Sequence, residues 1–146
     1  MKNNKGFTLL VAIVTTSLLL LVSFVVVNVA LKQLVLANAS QESQYAFYAA
    51  DSGTECAVYH DLKTIPTPFS LPFRSFSCNG SNITPTLVSN DGVVVTSRFT
   101  VNFPKGCAVV TVAKNVNGST SIDSRGYNTC PSGALRRFER GVTLSY

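Results

Sequence analysis

The feature that most constrains this chain is the run from Phe7 to Leu31, which contains no Lys, Arg, Asp or Glu. At about 1.5 Å per residue, a helix over this run is about 37 Å long. The hydrocarbon core of a bilayer is about 30 Å thick. Hydroxyl side chains in such a helix donate to carbonyls of the preceding turn, so their cost in lipid is modest. The run therefore predicts a helix that is long and apolar enough to span a membrane.

Two interpretations of this run rest on general export signals. A secretory signal peptide would be cut near Ala37 and Ala39, but its apolar region usually holds about 7–15 residues, far fewer than this run contains. A signal anchor would remain in the membrane, with Lys2 and Lys5 holding the preceding segment in the cytoplasm. A third interpretation comes from a family resemblance.

The sequence at residues 5–10, KGFTLL, resembles the prepilin leader of type IV pilins and type II secretion pseudopilins. The resemblance implies that residues 1–6 form a leader, which a prepilin peptidase removes by cutting after Gly6. It implies also that Phe7 becomes the new amino terminus and is methylated. The sequence at residues 45–57, YAFYAADSGTECA, is similar to the helix of PilX-type minor pilins.

One position departs from the pattern of that family. Most of its members carry a glutamate at the fifth residue after the cleavage point, where this chain has Val11. A carboxylate buried in an apolar segment is costly unless it is paired, and in the family it is thought to pair with the amine of a neighbouring subunit. Members without the glutamate, such as the K-type pseudopilins, resemble tip subunits. The resemblance therefore implies a minor subunit that initiates a filament or lies at its tip.

The helical pattern continues beyond the apolar run. No proline occurs between Lys32 and Lys63, and the first one is Pro66, so we expect one helix over about 7–63. Residues 7–31 form its membrane or filament-core half, and its outer half belongs to the segment 32–65. Small residues recur every three or four positions along one face of the outer half: Ala39, Ser43, Ala46, Ala50, Gly53 and Ala57. Such a face favours close packing, either against the protein's own sheet or against another subunit.

The segment 66–146 is predicted to form a connecting loop and an antiparallel head. Val-, Thr- and Phe-rich stretches separated by turns predict four strands: 93–103, 107–113, 119–126 and 135–146. Turns this close require antiparallel pairing. The fold class is therefore α+β and pilin-like, with one long N-terminal helix packed on a small antiparallel β-sheet of about four strands.

Two finer expectations concern which side chains of this segment face the core. Alternation of Phe69, Leu71, Phe73 and Phe76 predicts an edge strand over part of the loop. In the last strand, the side chains that share one parity are expected to face the core: Phe138, Val142, Leu144 and Tyr146.

Four cysteines follow the apolar run: Cys56, Cys78, Cys107 and Cys130. An even number in a small domain behind an export segment indicates disulfides. Three pairings are possible, and we favour Cys56–Cys78 with Cys107–Cys130 because each closes a short loop. No two of the cysteines form a C-x-x-C pair, so we expect no metal site.

The chain is not expected to be an enzyme or to hold a cofactor. Its single histidine, His60, is followed by Asp61. Adjacent helical side chains point about 100° apart, so this pair cannot form a hydrolytic triad. No phosphate-binding loop or dinucleotide fingerprint is present. The formal net charge is +5, and removal of Lys2 and Lys5 with the leader leaves 10 basic against 7 acidic residues, or +3, which is mild and does not by itself indicate nucleic-acid binding. Four arginines form either a weak DNA-binding patch or a solvated sheet face: Arg125, Arg136, Arg137 and Arg140.

The sequence thus predicts a structural minor subunit of a type IV pilus or a type II secretion pseudopilus that acts in filament assembly. Its expected partners are other pilin or pseudopilin subunits, the prepilin peptidase and the inner-membrane assembly platform. The precursor would cross the inner membrane once with its head outside the cytoplasm, and would later join a cell-surface or periplasmic filament. The alternative is a membrane-anchored extracytoplasmic binding domain that never polymerises.

Overall fold

The computed structural model describes residues 5–130, 133–134 and 136–146. Residues 1–4 of the predicted leader lie outside the described residues. The described residues form one α-helix, α1 (Lys5–Lys63), and seven strands. The strands are β1 (Phe76–Cys78), β2 (Ser81–Ile83), β3 (Thr86–Asn90), β4 (Val94–Asn102), β5 (Cys107–Asn115), β6 (Thr120–Tyr127) and β7 (Glu139–Ser145).

The chain divides into two compact units, Met1–Ser40 and Gln41–Tyr146. The described part of the first unit is helical throughout. The second unit, called the head below, contains the rest of α1 and all seven strands. The head has an α+β fold, as predicted, in which α1 packs on antiparallel sheet.

The main sheet of the head has five strands in the order β3-β4-β5-β6-β7, and every neighbouring pair is antiparallel. Strands β4 to β7 correspond to the four predicted strands. Strand β3 was not predicted, because its five residues are all exposed and its sequence lacks the alternation that marks a half-buried strand. A separate hairpin pairs β1 with β2.

The edge strand predicted from alternating residues in the loop is wrong. Among residues 69–76 only Phe76 lies in a strand, as the first residue of β1. Pro72 interrupts the segment, and a proline has no N–H to donate to a ladder. Phe69 is nevertheless completely buried. Its ring centroid lies 5.4 Å from that of Phe76 and 5.7 Å from that of Phe99, so the alternation marked core contacts rather than a strand.

In the last strand, the predicted side chains face the helix as expected, but they are less buried than predicted. Tyr146 and Arg140 both reach side chains of α1, so this parity faces the helix. Leu144 and Tyr146, however, are 40% and 43% exposed, and Val142 is only partly buried. The reason is that β7 lies at the edge of the sheet, where α1 covers it incompletely.

The row of small residues on α1 lets the helix approach the head's own sheet closely. Ala46, Ala50 and Ala57 are completely buried, and the hydroxyl of Ser124 on β6 donates to the Ala50 carbonyl over 2.7 Å. A Cβ added at Gly53 would lie 2.7 Å from Ser124 Oγ, closer than real Cβ contacts come. From Ala46 to Ala57 the row therefore packs within the molecule.

The first two members of that row, Ala39 and Ser43, lie outside this packed stretch. Ser43 lies in the head, and its Oγ accepts a hydrogen bond from Nε of Arg140 over 2.7 Å. Ala39 belongs to the first unit and is partly buried.

The structure contains the predicted Cys56–Cys78 disulfide, which ties α1 to β1. The second predicted disulfide, Cys107–Cys130, is not formed, and both cysteines are free thiols. The two thiols are neighbours in the fold, since Cys130 contributes to the raised pKa of Cys107, so sequence spacing identified neighbours but not a bond. Burial first, and then the hydrogen bond with Cys130, raises the pKa of the Cys107 thiol to about 12. Cys107 is thus held protonated within the start of β5.

We predict that Gly126→Ala destabilises the head strongly. Gly126 lies on β6, and a Cβ there would overlap the Ala46 carbonyl oxygen and the Ala50 nitrogen of α1. These backbone atoms cannot move without lifting the helix from the sheet. We expect the free energy of unfolding to fall by at least about 2 kcal/mol, measured by urea unfolding of the full chain in detergent micelles and followed by near-UV circular dichroism.

The matched control is Gly141→Ala on the neighbouring strand, where a Cβ meets no atom within 4 Å. This variant should unfold within about 0.5 kcal/mol of the wild type. Equal stability of the two alanine variants would contradict the close approach.

Candidate functional site

The first unit presents an apolar surface on all sides of its helix. Every Phe, Leu, Ile and Val from Phe7 to Leu36 leaves between 41% and 72% of its surface exposed. We call residues 7–36 the apolar helix surface. A helix that carries such side chains on every side requires an apolar environment around its whole circumference.

Five polar side chains within the apolar helix surface bond to the helix itself. Each donates to a carbonyl three or four residues earlier, over 2.8–3.0 Å. The donors are Thr15, Thr16, Ser17, Ser23 and Asn28. This confirms the expectation for the hydroxyl groups and extends it to the amide of Asn28. Donors satisfied within the helix carry a modest cost in lipid.

α1 contains a stretch long and apolar enough to cross a membrane. The core helix of a soluble protein passes the same test of length and composition, but such a helix is mostly buried, and here the apolar stretch has none of its residues buried. Signal sequences near an N-terminus pass the test too. The described chain therefore has one helix that matches a membrane span.

The residues singled out from the leader resemblance lie at the beginning of α1. Gly6 and Phe7 belong to its first turn, and the Phe7 side chain is 72% exposed. Val11 lies one turn further on and is 41% exposed. It places an apolar side chain where the family pattern has a carboxylate.

In the head, the strongest polar cluster is built around Asp61, near the end of α1. Its side chain is 1% exposed and pairs with Nζ of Lys114 on β5 at 2.7 Å. Its carboxylate also accepts hydrogen bonds from Thr67 Oγ1 at 2.7 Å, Thr120 Oγ1 at 3.0 Å and Tyr146 Oη at 3.0 Å. One carboxylate thus joins the helix, the loop after it, β5, β6 and the residue that follows β7.

These contacts set the protonation of the cluster. Burial by itself raises the pKa of Asp61, but the hydrogen bonds from Lys114, Thr67 and Tyr146, together with the Lys114 charge, hold it below the ordinary aspartate value. Burial first, and then the hydrogen bond to Asp61, raises the pKa of Tyr146 to about 12. At neutral pH the carboxylate is therefore charged, and the phenol stays protonated and donates.

Sequence reasoning did not find this cluster. In the sequence Asp61 is one of several carboxylates on the long helix, beside His60 and near the helix end, and its partners lie six to 85 residues away along the chain. The available signal was weak: a single aspartate on the same helical face as the buried Ala50 and Ala57. His60 itself is partly buried, with Nε2 2.9 Å from the Ser77 carbonyl oxygen.

The four arginines have different partners among the described residues. Arg125 is paired with Asp123 at 3.2 Å and with Glu139 at 3.0 Å. The Arg137 guanidinium lies 3.7 Å from the centre of the Tyr127 ring, and Arg140 donates to Ser43. The carbonyl of Arg136 accepts a hydrogen bond from Asn128. Carboxylates therefore offset the charge of Arg125 alone, and the weak DNA-binding patch stays a prediction.

No protein-family model, curated protein or solved structure matches this chain. In the part of the chain that the structure describes, no three His, Cys, Asp or Glu side chains lie together in a group suited to a metal ion.

We predict that Asp61→Asn destabilises the head and removes an acid-sensitive part of its stability. Asparagine keeps the shape but leaves Lys114 without its buried counter-charge, so we expect a loss of about 3–5 kcal/mol in the free energy of unfolding at pH 7. Because the pKa of Asp61 is lowered in the folded state, the wild-type advantage should persist above the ordinary aspartate range. It should disappear as the pH falls through the lowered value.

Urea unfolding of the full chain in detergent micelles between pH 2 and pH 7 measures this advantage. The control Asp123→Asn breaks an exposed pair and should change stability by about 1 kcal/mol or less. An advantage of wild type over Asp61→Asn that does not decline in acid would contradict the assignment.

Proposed function

We propose that this chain is a minor subunit of a type IV pilus or of a type II secretion pseudopilus, and that it works by assembly rather than by catalysis. The observation that carries the proposal is the apolar helix surface, which continues through α1 into the helix of a folded α+β head. The leader-like sequence at residues 5–10 supports the same conclusion.

The apolar helix surface suits two environments in succession. In the precursor it would lie in the inner membrane, with the head outside the cytoplasm. In the filament, the same side chains would contact the helices of neighbouring subunits. Lipid tails and packed leucines are similarly apolar, so the transfer involves little hydrophobic gain or loss, and packing decides it. The final location would be a cell-surface or periplasmic filament.

Removal of residues 1–6 would give the subunit its mature end. The prepilin peptidase would cut after Gly6, and Phe7 would then carry the methylated amine. Without Lys2 and Lys5, the part of the chain before Lys32 has no charged side chain. The methylated amine of Phe7 would then be the one charge before Lys32 that leaves the bilayer with the mature helix.

Val11 bears on the position of the subunit in the filament. A glutamate at that position requires a partner amine, since an unpaired carboxylate in an apolar setting is costly. Val11 has no such requirement. The subunit can therefore occupy a place with no neighbour above it, which is the place of an initiating or tip subunit.

We predict that processing depends on Gly6. When the chain is co-expressed with a prepilin peptidase, mass spectrometry should find a mature protein that begins at methylated Phe7. Gly6→Ala should leave most of the chain uncut, because the added methyl group alters the residue at the scissile bond. Gly141→Ala, in the head, should be cut like the wild type. A product that begins at Ser40 would identify a signal peptide, and an intact chain would favour the non-polymerising anchored domain.

We predict also that Val11→Glu changes where the subunit is found. Immunogold labelling of wild-type filaments should be concentrated at their ends. Val11→Glu restores the carboxylate that can pair with a neighbour's amine, so labels should appear along the shaft. Val11→Gln, which has a similar shape and no charge, should label like the wild type. Wild-type labels spread evenly along filaments would contradict a tip position.

A further inference from the structure

The head leaves one edge of its main sheet open, at β7. Thr120 and Tyr146 exchange both backbone hydrogen bonds, at 2.8 and 3.0 Å, and the Asn128 N–H donates to the Phe138 carbonyl. Bonded pairs alternate along an antiparallel ladder. Residues 140, 142, 144 and 146 therefore direct their backbone groups to β6, and residues 141, 143 and 145 direct theirs away from the sheet. Among the described strands none lies beyond β7.

Strand β7 contains neither a proline nor a register shift that would discourage pairing with another strand. Strand β7 keeps an uninterrupted register with β6 over seven residues, from Glu139 to Ser145. The opposite edge strand, β3, differs: Pro85 precedes it, and its register shifts between Leu87 and Ser89. Proline and bulges are the features by which native edges block strand addition. Of the two edges, β7 is the one able to accept a further strand.

An apolar groove lies directly beside this edge, between β7 and the outward side of α1. Its volume is about 530 Å³, and Val58, Tyr59, Leu62 and Leu144 form most of its lining. Leu62 is 59% exposed and Leu144 is 40% exposed. A sixth strand paired with β7 would point alternate side chains into this groove, because successive side chains of a strand point to opposite faces of the sheet.

Charges at the two ends of the groove define the charge pattern that suits a strand paired antiparallel with β7. Glu55 and Lys63 both line it, and neither takes part in an ion pair with a described residue. Tyr146 reaches Asp61, so the end of β7 lies near Lys63. A strand antiparallel to β7 would therefore begin near Lys63 and run toward Glu55. An acidic residue at its start and a basic residue at its end would complement these charges.

We propose that the edge of β7 and the adjoining groove bind an extended segment of a partner polypeptide as a sixth strand of the sheet. The segment has apolar residues at alternate positions, an acidic residue at its amino end and a basic residue at its carboxyl end. Backbone hydrogen bonds to residues 141, 143 and 145 give affinity, and the groove selects the side chains. The proposal rests on the head alone and does not require the chain to enter a filament.

A defined peptide tests this with the full chain held in phospholipid nanodiscs. The probe is a fluorescent eight-residue peptide in which threonine and valine alternate between an amino-terminal glutamate and a carboxy-terminal lysine. Its matched control has the same sequence with alternate amides N-methylated, which removes strand pairing and keeps the apolar side chains. Fluorescence anisotropy should show saturable binding of the probe and none of the control. Equal binding of both peptides would indicate partition into lipid and would overturn the proposal.

Variants of the groove make the test specific to this surface. Leu62→Lys and Leu144→Lys place a charge in the groove at exposed positions, and each should weaken peptide binding about tenfold or more. Val116→Lys is the control, since Val116 is 75% exposed and lies outside the groove. It should change the affinity less than about twofold. Unchanged binding in both groove variants would overturn the proposal.

Hydrogen exchange in the wild-type protein tests the binding mode without relying on variants that could lose stability. In wild-type protein saturated with the probe, exchange at the amides of Gly141, Thr143 and Ser145 should slow about tenfold or more. The amides of Val142 and Leu144, which already bond to β6, should change little. If the groove variants instead reduce self-association of the chain and leave these amides unprotected by the probe, the surface is an interface between copies and the proposal is wrong.

Discussion

The structure depends on one constraint: the large apolar side chains between Phe7 and Leu36 must be kept from water. Burying one such side chain is worth about 1.5–3 kcal/mol, so leaving the whole set in water would cost tens of kcal/mol. The described fold buries none of the apolar stretch. An apolar environment must therefore cover it. Lipid is one such environment, and the proposed assembly would supply a second.

Within the head, α1 packs against the sheet of the protein itself. There the contact residues are small, and the backbone of α1 lies against β6 at Gly126. Close approach allows Ser124 to reach a main-chain carbonyl and places Asp61 within reach of Lys114, Thr120 and Tyr146. Large apolar side chains on every face of a helix can be covered by any apolar surroundings. Small side chains on a single face instead allow close packing against one surface, here the sheet of the head.

Local patterns were sufficient to predict much of this fold. The absence of proline before Pro66 predicted the long helix, and β-branched runs between turns predicted β4 to β7. The spacing of Cys56 and Cys78 predicted a neighbouring pair that is bonded. Each of these signals lies within a short stretch of chain, where propensity and periodicity act directly.

What could not be predicted depends on contacts distant in sequence. Asp61 carries no local sign that Lys114 and Tyr146 converge on it, and Gly126 resembles any strand glycine until the helix lies against it. Cys107 and Cys130 are adjacent but unbonded, which spacing cannot distinguish from a disulfide. The groove beside Leu144 is open because β7 is an edge strand of the sheet. These features depend on tertiary packing, which overrides local preference.

The central claim is that the apolar helix surface is covered first by lipid and later by neighbouring subunits. A photo-reactive phenylalanine analogue in place of Leu20, which is 72% exposed, reports its surroundings directly. Irradiated membranes should yield adducts with lipid, and irradiated filaments sheared from cells should yield adducts with the helix of another subunit. Lipid adducts in every fraction, with no chain in the sheared filaments, would contradict the account.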